Sequence, residues 1–420
     1  MRAAFWFLVL FVLAAAVALL AGDNRGMVAL FWAPWRWDFS LNLAVLLLLI
    51  VFVMVYALLR AFTGLAALPQ QARQWRVRHK EHALYTALLD ALAQLYAGRF
   101  TRARKAAQAA LARERSLLGH GADLPQAQQQ QLRTLAHLLA AESAHALQDR
   151  SARDAHLQQA LAEGGMTGAM GETRQGAQLR AAVWALENND PSGALERLDE
   201  LPLGAQRRTL ALRLHLKAAR QAGQTLAALE TARLLAKHRA FSEAAAQSIV
   251  RSLAAELIAG ARDSGQLLRV WGQLDAAERD MPETGLHAAQ RMIALHGDRG
   301  VARGWLLPVW ERMDSLSDDM RVQLVRALEA ALDPVDPQWL ARIEKAQRAH
   351  ARDAALQYLA GMVYLKVQLW GKAQQLLMQA AAGLHEPALL RRVWRSLAEL
   401  AEQRGDMQAA AMAWKRAAQS

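Results

Sequence analysis

Residues 361–380 read GMVYLKVQLWGKAQQLLMQA, and the spacing of five side chains in this stretch decides the fold. Gly361 and Tyr364 lie one helical turn apart, Trp370 follows at a turn, and Ala373 and Ala380 share one face of a second helix. A small residue and an aromatic on one helix, a large residue at the turn and two alanines on the next allow two helices to pack very closely. The following stretch repeats the arrangement with Trp394, Leu397, Ala398, Gly405, Ala410 and Ala417, where Gly405-Asp406 forms the turn and Trp414 fills the large second-helix position. A further copy begins at Ala91 and continues through Gly98, Phe100, Ala103 and Ala110.

This is the spacing of tetratricopeptide repeats. Gly361 to Ala398 spans 37 residues, against a usual period of about 34, so the connection through Glu386 and Pro387 is expected to be long. Between the ends the pattern thins. Partial units remain at Gln148-Asp149-Arg150 with Ala160, at Ala182, Pro191 and Ala194, and at Gly297-Asp298 with Ala302 and Leu306. Apolar faces such as Leu132-Leu135-Leu139, Leu226-Leu229 and Leu324-Val325-Leu328-Leu332 need a neighbouring helix pair to cover them. Composition agrees: Ala, Leu, Gln, Arg and Glu dominate and Pro numbers only 10, a mix that favours helix over strand.

The amino-terminal sixty residues differ in kind. Two uncharged apolar runs, Ala3 to Ala21 and Leu41 to Leu59, are each about as long as a helix needs to cross a bilayer, about 20 residues. The first resembles a cleavable signal peptide in its Ala-rich end, but its length and the second run close behind it favour retention. The loop between them, residues 22–40, alternates as a small hairpin does, and Trp32, Trp35 and Trp37 are of the type that settles at a membrane interface. The bland reading of these indoles is an anchor, and the sharper one a docking site for another membrane protein. Gly64 and Pro69 mark a break over Leu65 to Gln70. A basic helix follows, with Arg73, Arg76, Arg78 and Lys80 around Trp75, suited to contact with anionic lipid.

The expected fold is therefore all-α: two amino-terminal transmembrane helices followed by a tetratricopeptide-like α-solenoid with a concave surface. Its expected parts are a two-span anchor (1–62), a basic juxtamembrane helix (63–82), a degenerate helical-repeat solenoid (83–332) and carboxy-terminal tetratricopeptide repeats (333–420). Soft breaks are expected at the five glycines of Gly164 to Gly176 and at Asp333-Pro334-Val335-Asp336-Pro337.

Charge gives orientation. The formal net charge is +12, and from Arg60 to Arg115 there are 11 basic residues against Glu81, Asp90 and Glu114, a local excess of 11 − 3 = +8. The intervening loop balances Arg25 and Arg36 with Asp23 and Asp38. Lys and Arg stay on the cytoplasmic side, so the reading is a multi-pass membrane protein with its amino terminus and repeat domain in the cytoplasm and the loop outside. The basic excess is assigned to lipid or an acidic partner, with no nucleic acid proposed.

Catalytic chemistry is thinly represented. With no Cys, a disulfide framework, a thiolate nucleophile and Cys ligation of zinc or haem are excluded. Gly165, Gly168 and Gly171 lack the spacing and preceding strand of a dinucleotide site, and there is no P-loop or metalloprotease helix. Asp318-Asp319 and Asp333 with Asp336 read as helix caps rather than acid–base pairs. His79 and His82, three apart beside the membrane, are the weak candidates for holding a haem. No metal site, cofactor or enzymatic activity is expected. The repeat-packing residues are Ala91, Gly98, Ala103, Ala110, Gly361, Tyr364, Ala373, Ala380, Trp394, Gly405, Ala410 and Ala417.

Two spans, the Gly26-Met27-Val28 opening of the loop, the Arg73-to-Lys80 helix, the repeat around Gly98-Arg99-Phe100, the Leu268-Arg269-Val270-Trp271 stretch and the terminal repeats together resemble the proteobacterial HemY family. Met27 stands where an aromatic residue is expected. The resemblance implies a repeat scaffold tethered to the bacterial inner membrane and associated with a late step of protohaem biosynthesis, with enzymes of that pathway as partners, and it supplies no catalytic residues. A haem or porphyrin carrier and an envelope assembly factor of the cytochrome c maturation type are the alternatives.

Overall fold

The computed structural model describes residues 9, 11–14, 16, 26–118, 125–163 and 168–419; the side chains of 62–74, 76, 77, 163 and 168–170 lie outside that description. The chain divides into two compact units, Met1–Arg174 and Gln175–Ser420.

In the first unit the interrun loop is a β-hairpin. Strands β1 (Met27–Trp32) and β2 (Trp35–Ser40) pair antiparallel, with Val28 opposite Phe39, Leu30 opposite Trp37 and Trp32 opposite Trp35. Ser40 then caps helix α1 (Leu41–Tyr96), its side chain accepting from the Leu43 amide at 3.4 Å, and the Leu41 amide donates to the Gly26 carbonyl at 3.0 Å. Leu41–Ala61 has a mean hydropathy of 2.9 and is unburied, and it is the single candidate membrane span among the described residues. Most of the run from Ala3 to Ala21, and with it the expected first span, lies outside the described residues. Of that run, Phe11 sits 5.7 Å from Phe52 of α1, ring to ring.

Helix α1 is 56 residues long and passes through Leu65–Gln70, where Gly64 and Pro69 suggest a break. Proline removes one backbone bond at a cost of about 3 kcal/mol in a helix interior, but Leu65, Ala66, Ala67, Leu68, Gln70, Gln71 and Ala72 around it are strong helix formers, and an established helix propagates cooperatively. The juxtamembrane helix and the first repeat helix are consequently one rod.

Helices α2 (Phe100–Leu118), α3 (Gln126–Ala146) and α4 (Arg150–Glu163) continue the first unit, each packed on its predecessor. Leu84, Ala87, Leu111, Leu117 and Leu132 form its core, and Ala91, Ala107 and Ala140, all fully buried, form a second cluster of small side chains. Burying a leucine such as Leu84 is worth about 1.5–3 kcal/mol.

Helix α5 (Gly168–Glu187) crosses the division between the units. The second unit then runs through α6 (Pro191–Asp199), α7 (Leu203–Gln206), α8 (Thr209–Gln221), α9 (Thr225–Lys237), α10 (Glu243–Ala259), α11 (Ser264–Gln273), α12 (Ala276–Arg279), α13 (Pro282–Ala294) and α14 (Arg299–Glu311). It ends with α15 (Asp318–Ala331), α16 (Pro337–Ala349), α17 (Ala354–Lys366), α18 (Trp370–Gly383), α19 (Pro387–Gln403) and α20 (Met407–Gln419). Its larger helices touch the next helix and in places the next but one, as in α13 with α14 and α15 or α17 with α15 and α18. One continuous core runs from Ala182 to Ala413. The described chain is thus helical apart from the hairpin, and it is built as successive helical pairs.

The turns of these pairs share one device. Gly98, Gln148, Asn189, Gly223, Arg239, His296, Gln368 and Gly405 all have φ between 52° and 78°, each just past the end of a helix. In every case the next amide donates to the carbonyl five residues back, as Arg99 does to Gln94, Asp149 to Ala144 and Leu369 to Tyr364. This closes the helix with a left-handed residue and satisfies carbonyls that would otherwise be orphaned. Asp149, Asp190, Asp298 and Asp406 then cap the following helix, accepting from Ala152, Gly193, Gly300 and Ala409 respectively.

Candidate functional site

A groove of about 670 Å³ opens in the second unit between α13, α15 and the start of α19. Gln290 and Ile293 come from α13, Asp319 and Arg326 from α15, and Glu386 and Arg392 from α19 and its cap. A smaller hollow of about 520 Å³, lined by Ala255, Ile258, His287 and Arg291, shares Gln290 and Ala294 with it, so the two form one trough over α10, α13, α15 and α19.

Beneath the trough lies a buried ionic network centred on Glu329, which is 4% exposed. Its Oε2 accepts from the Tyr358 hydroxyl at 2.5 Å, and its Oε1 lies 2.8 Å from Arg392 Nε. Lys366 Nζ, from the last residue of α17, donates to the carbonyls of Glu329 and Leu332 at 2.9 and 3.0 Å. Burial, followed by the Glu329 charge, pushes the Tyr358 phenol well above its usual range, so it remains a donor. Burial lowers the Lys366 pKa, against the pull of Asp333 and Glu329. A buried carboxylate is tolerated only when its charge and lone pairs are met, and here one carboxylate fixes Arg392 from below. The Arg392 side chain is 61% exposed, and its terminal nitrogens have no partner among the described residues. Arg326, itself half exposed, pairs with the part-exposed Glu386 at 3.0 Å across the trough. Fixed guanidinium donors next to the carboxylates of Asp319 and Glu386 suit the mixed hydrogen bonding of a polypeptide segment.

The terminal repeat behaves as a packing unit. Ala373 and Ala380 are fully buried, and Gly361 meets α18 so closely that a Cβ there would lie 2.8 Å from Leu377 Cγ. Tyr364 donates to Glu344 at 2.7 Å, and burial together with that bond pushes its pKa up to about 12. Arg416 covers the Trp394 ring at 4.6 Å, while Ala410 and Ala417 are buried beside it. In the first unit Ala91, Ala103 and Ala110 are fully buried, and Gly98 and Gly405 occupy left-handed turn positions.

Among the residues expected at the membrane, Trp75 is exposed and stacks on His79 with ring centroids 5.4 Å apart; Arg78, His79 and His82 are exposed. Lys80 reaches Ser116 on α2 at 3.3 Å. The side chains of Arg73 and Arg76 lie outside the described residues. No group of three or more metal-ligating side chains occurs among the described residues. Trp32, Trp35 and Trp37 share one face of the hairpin with Leu30 and Phe39, around a hollow of about 520 Å³.

One pairing was not legible in the sequence. His137 on α3 and His156 on α4 approach with their Nδ1 atoms 3.0 Å apart, one donating to the other. Burial, followed by Arg104, holds His156 below the ordinary imidazole value, and Asp149 acts in the opposite sense. The two lie 19 residues apart, a separation that marks no pair until the register of the two helices is known.

Residues 26–148 match a family model described as HemY protein N-terminus. No curated protein matches the chain. Among solved structures, the chain is similar to the P58(IPK) TPR domain at 13% identity and TM-score 0.24, covering 76% of this chain and 99% of that one. It is also similar to a chain of Naa15/Naa10 bound to HypK-THB (11% identity, TM-score 0.25, 82% of this chain and 61% of that one). Ypp1 is a third such structure (10% identity, TM-score 0.26, 74% of this chain and 48% of that one).

Proposed function

We propose, for a chain whose residues 26–148 match the model of the HemY protein N-terminus, that it is a non-enzymatic, membrane-tethered repeat scaffold acting at a late step of protohaem biosynthesis. The observation that carries this reading is the continuity of α1, in which an unburied apolar segment, Leu41–Ala61, runs without interruption into the first repeat pair. A helix shared in this way links membrane and repeat surface directly. The trough over α10, α13, α15 and α19 is the proposed seat for segments of pathway enzymes, and gathering them limits the escape of reactive porphyrins. The basic excess after the span supports a cytoplasmic repeat domain, and the two-span topology belongs to the same proposal.

Cross-linking in intact membranes followed by purification tests the reading. Recovery of one or more haem-pathway enzymes, reduced by Arg326→Ala with Arg392→Ala, is the expected result. Recovery of none from cross-linked membranes would overturn it. A reporter fused after Ser420 is expected to be active only in the cytoplasm, and a periplasmic signal would instead favour the envelope-assembly class.

A further inference from the structure

We infer that the hairpin is a lipid-binding element whose aromatic face lies in the boundary between headgroups and acyl chains of a phospholipid bilayer. This rests on the membrane reading of α1. The cross-strand register places Val28, Leu30, Trp32, Trp35, Trp37 and Phe39 on one face. Trp32 is 76% exposed, Trp35 69% and Trp37 57%, a concentration of bare indole that water does not favour. The opposite face is mixed: it carries Met27, Ala29 and Phe31 together with Ser40 and the charged pair of the hairpin, Arg36 bound to Asp38 at 3.1 Å with its guanidinium 5.2 Å from the Phe31 ring centroid. An apolar face backed by an ion pair is the profile of an element lying in the interface plane, since a spanning element would be apolar on both sides.

Continuity selects lipid as the occupant. The open end of the hairpin is joined to the first residue of the apolar helix through Ser40 and the bond from Leu41 to Gly26, so the sheet begins at the level where that helix leaves the hydrocarbon. Trp32, Trp35 and Trp37 make no hydrogen bond through their indole N–H groups among the described residues. Headgroup phosphate and ester carbonyl oxygens supply acceptors at that depth, while the ring bodies meet the upper acyl chains.

The chain has no Cys, so single-cysteine variants of the full-length protein carry a polarity-sensitive dye without background. In vesicles of phosphatidylethanolamine and phosphatidylglycerol, Trp37→Cys and Asp38→Cys place the dye at adjacent positions on opposite faces; Leu30→Cys and Ala29→Cys do so on the other strand. The expected result is quenching by shallow spin-labelled lipid at least about two-fold greater for Trp37→Cys than for Asp38→Cys, and for Leu30→Cys than for Ala29→Cys. Equal quenching on the two faces would overturn the inference. So would a blue-shifted Trp37→Cys dye that lipid label does not quench, because the face would then be covered by protein. Leu48→Cys, within the apolar helix, is the reference: deep spin label quenches it if α1 spans. Without that quenching the membrane reading itself fails, a result distinct from an unquenched hairpin on an embedded helix.

Discussion

Glu329 illustrates how much a single buried side chain can organise. Replacing it by Ala leaves the Tyr358 hydroxyl buried without an acceptor, a loss of about 1–3 kcal/mol, and frees Arg392; the pair Glu329→Leu with Tyr358→Phe is expected to recover part of the loss, as read in urea unfolding. Gly361→Ala is expected to cost about 1–3 kcal/mol through overpacking against Leu377, seen as a lowered Tm. The histidine pair gives a pH signature. His156 has a folded pKa below its unfolded value, so its contribution is present above about pH 6.5 and is lost as pH falls towards the folded value. Thermal melts between pH 7.5 and 5 are expected to show this decline, and His156→Gln to flatten it. Gly361 and Tyr364 were legible because a small residue and an aromatic at helical spacing report packing directly. The Glu329 network was not, since its members come from α15, α17 and α19, and only the fold brings them together.

The recurrent turn makes a different kind of prediction for the helices. Where glycine occupies the left-handed position, Gly98→Ala and Gly405→Ala introduce a Cβ into a conformation that costs about 1–2 kcal/mol. Where it does not, Gln148→Gly, Arg239→Gly and Gln368→Gly are expected to stabilise by up to about 1 kcal/mol, with Tm as the measure. This also explains why the repeats fade in the middle of the sequence. The glycine signal survives at Gly98 and Gly405, whereas Gln148, Asn189, Arg239, His296 and Gln368 adopt the same backbone shape with ordinary side chains. Pattern reading follows residue type, and these turns preserve geometry. The opposite error occurs in α1, where Gly64 and Pro69 carry a strong break signal that the surrounding helix formers outweigh.

For the molecule as a whole, the order of parts was readable from composition: hairpin, apolar helix, then helical pairs. The division at Arg174 and Gln175 falls within the soft break expected at Gly164 to Gly176, but from Gly168 onward that stretch is the helix α5 and not a loop. The unbroken α1 has one further consequence, which concerns angle. Between Ala61 and Leu84 the helix climbs about 1.5 Å and turns about 100° per residue, so the direction in which the first repeat pair faces is fixed by the number of residues beneath it. Two alanines inserted between Gln70 and Lys80 rotate that pair by about 200°, while seven return it to within about 20° and lift it about 10 Å. If captured enzymes must meet one side of the repeat while seated on the same bilayer, the two-residue insertion is expected to abolish their co-purification and the seven-residue insertion to spare it. In that sense α1 acts as a key shaft, setting rotational phase as well as height.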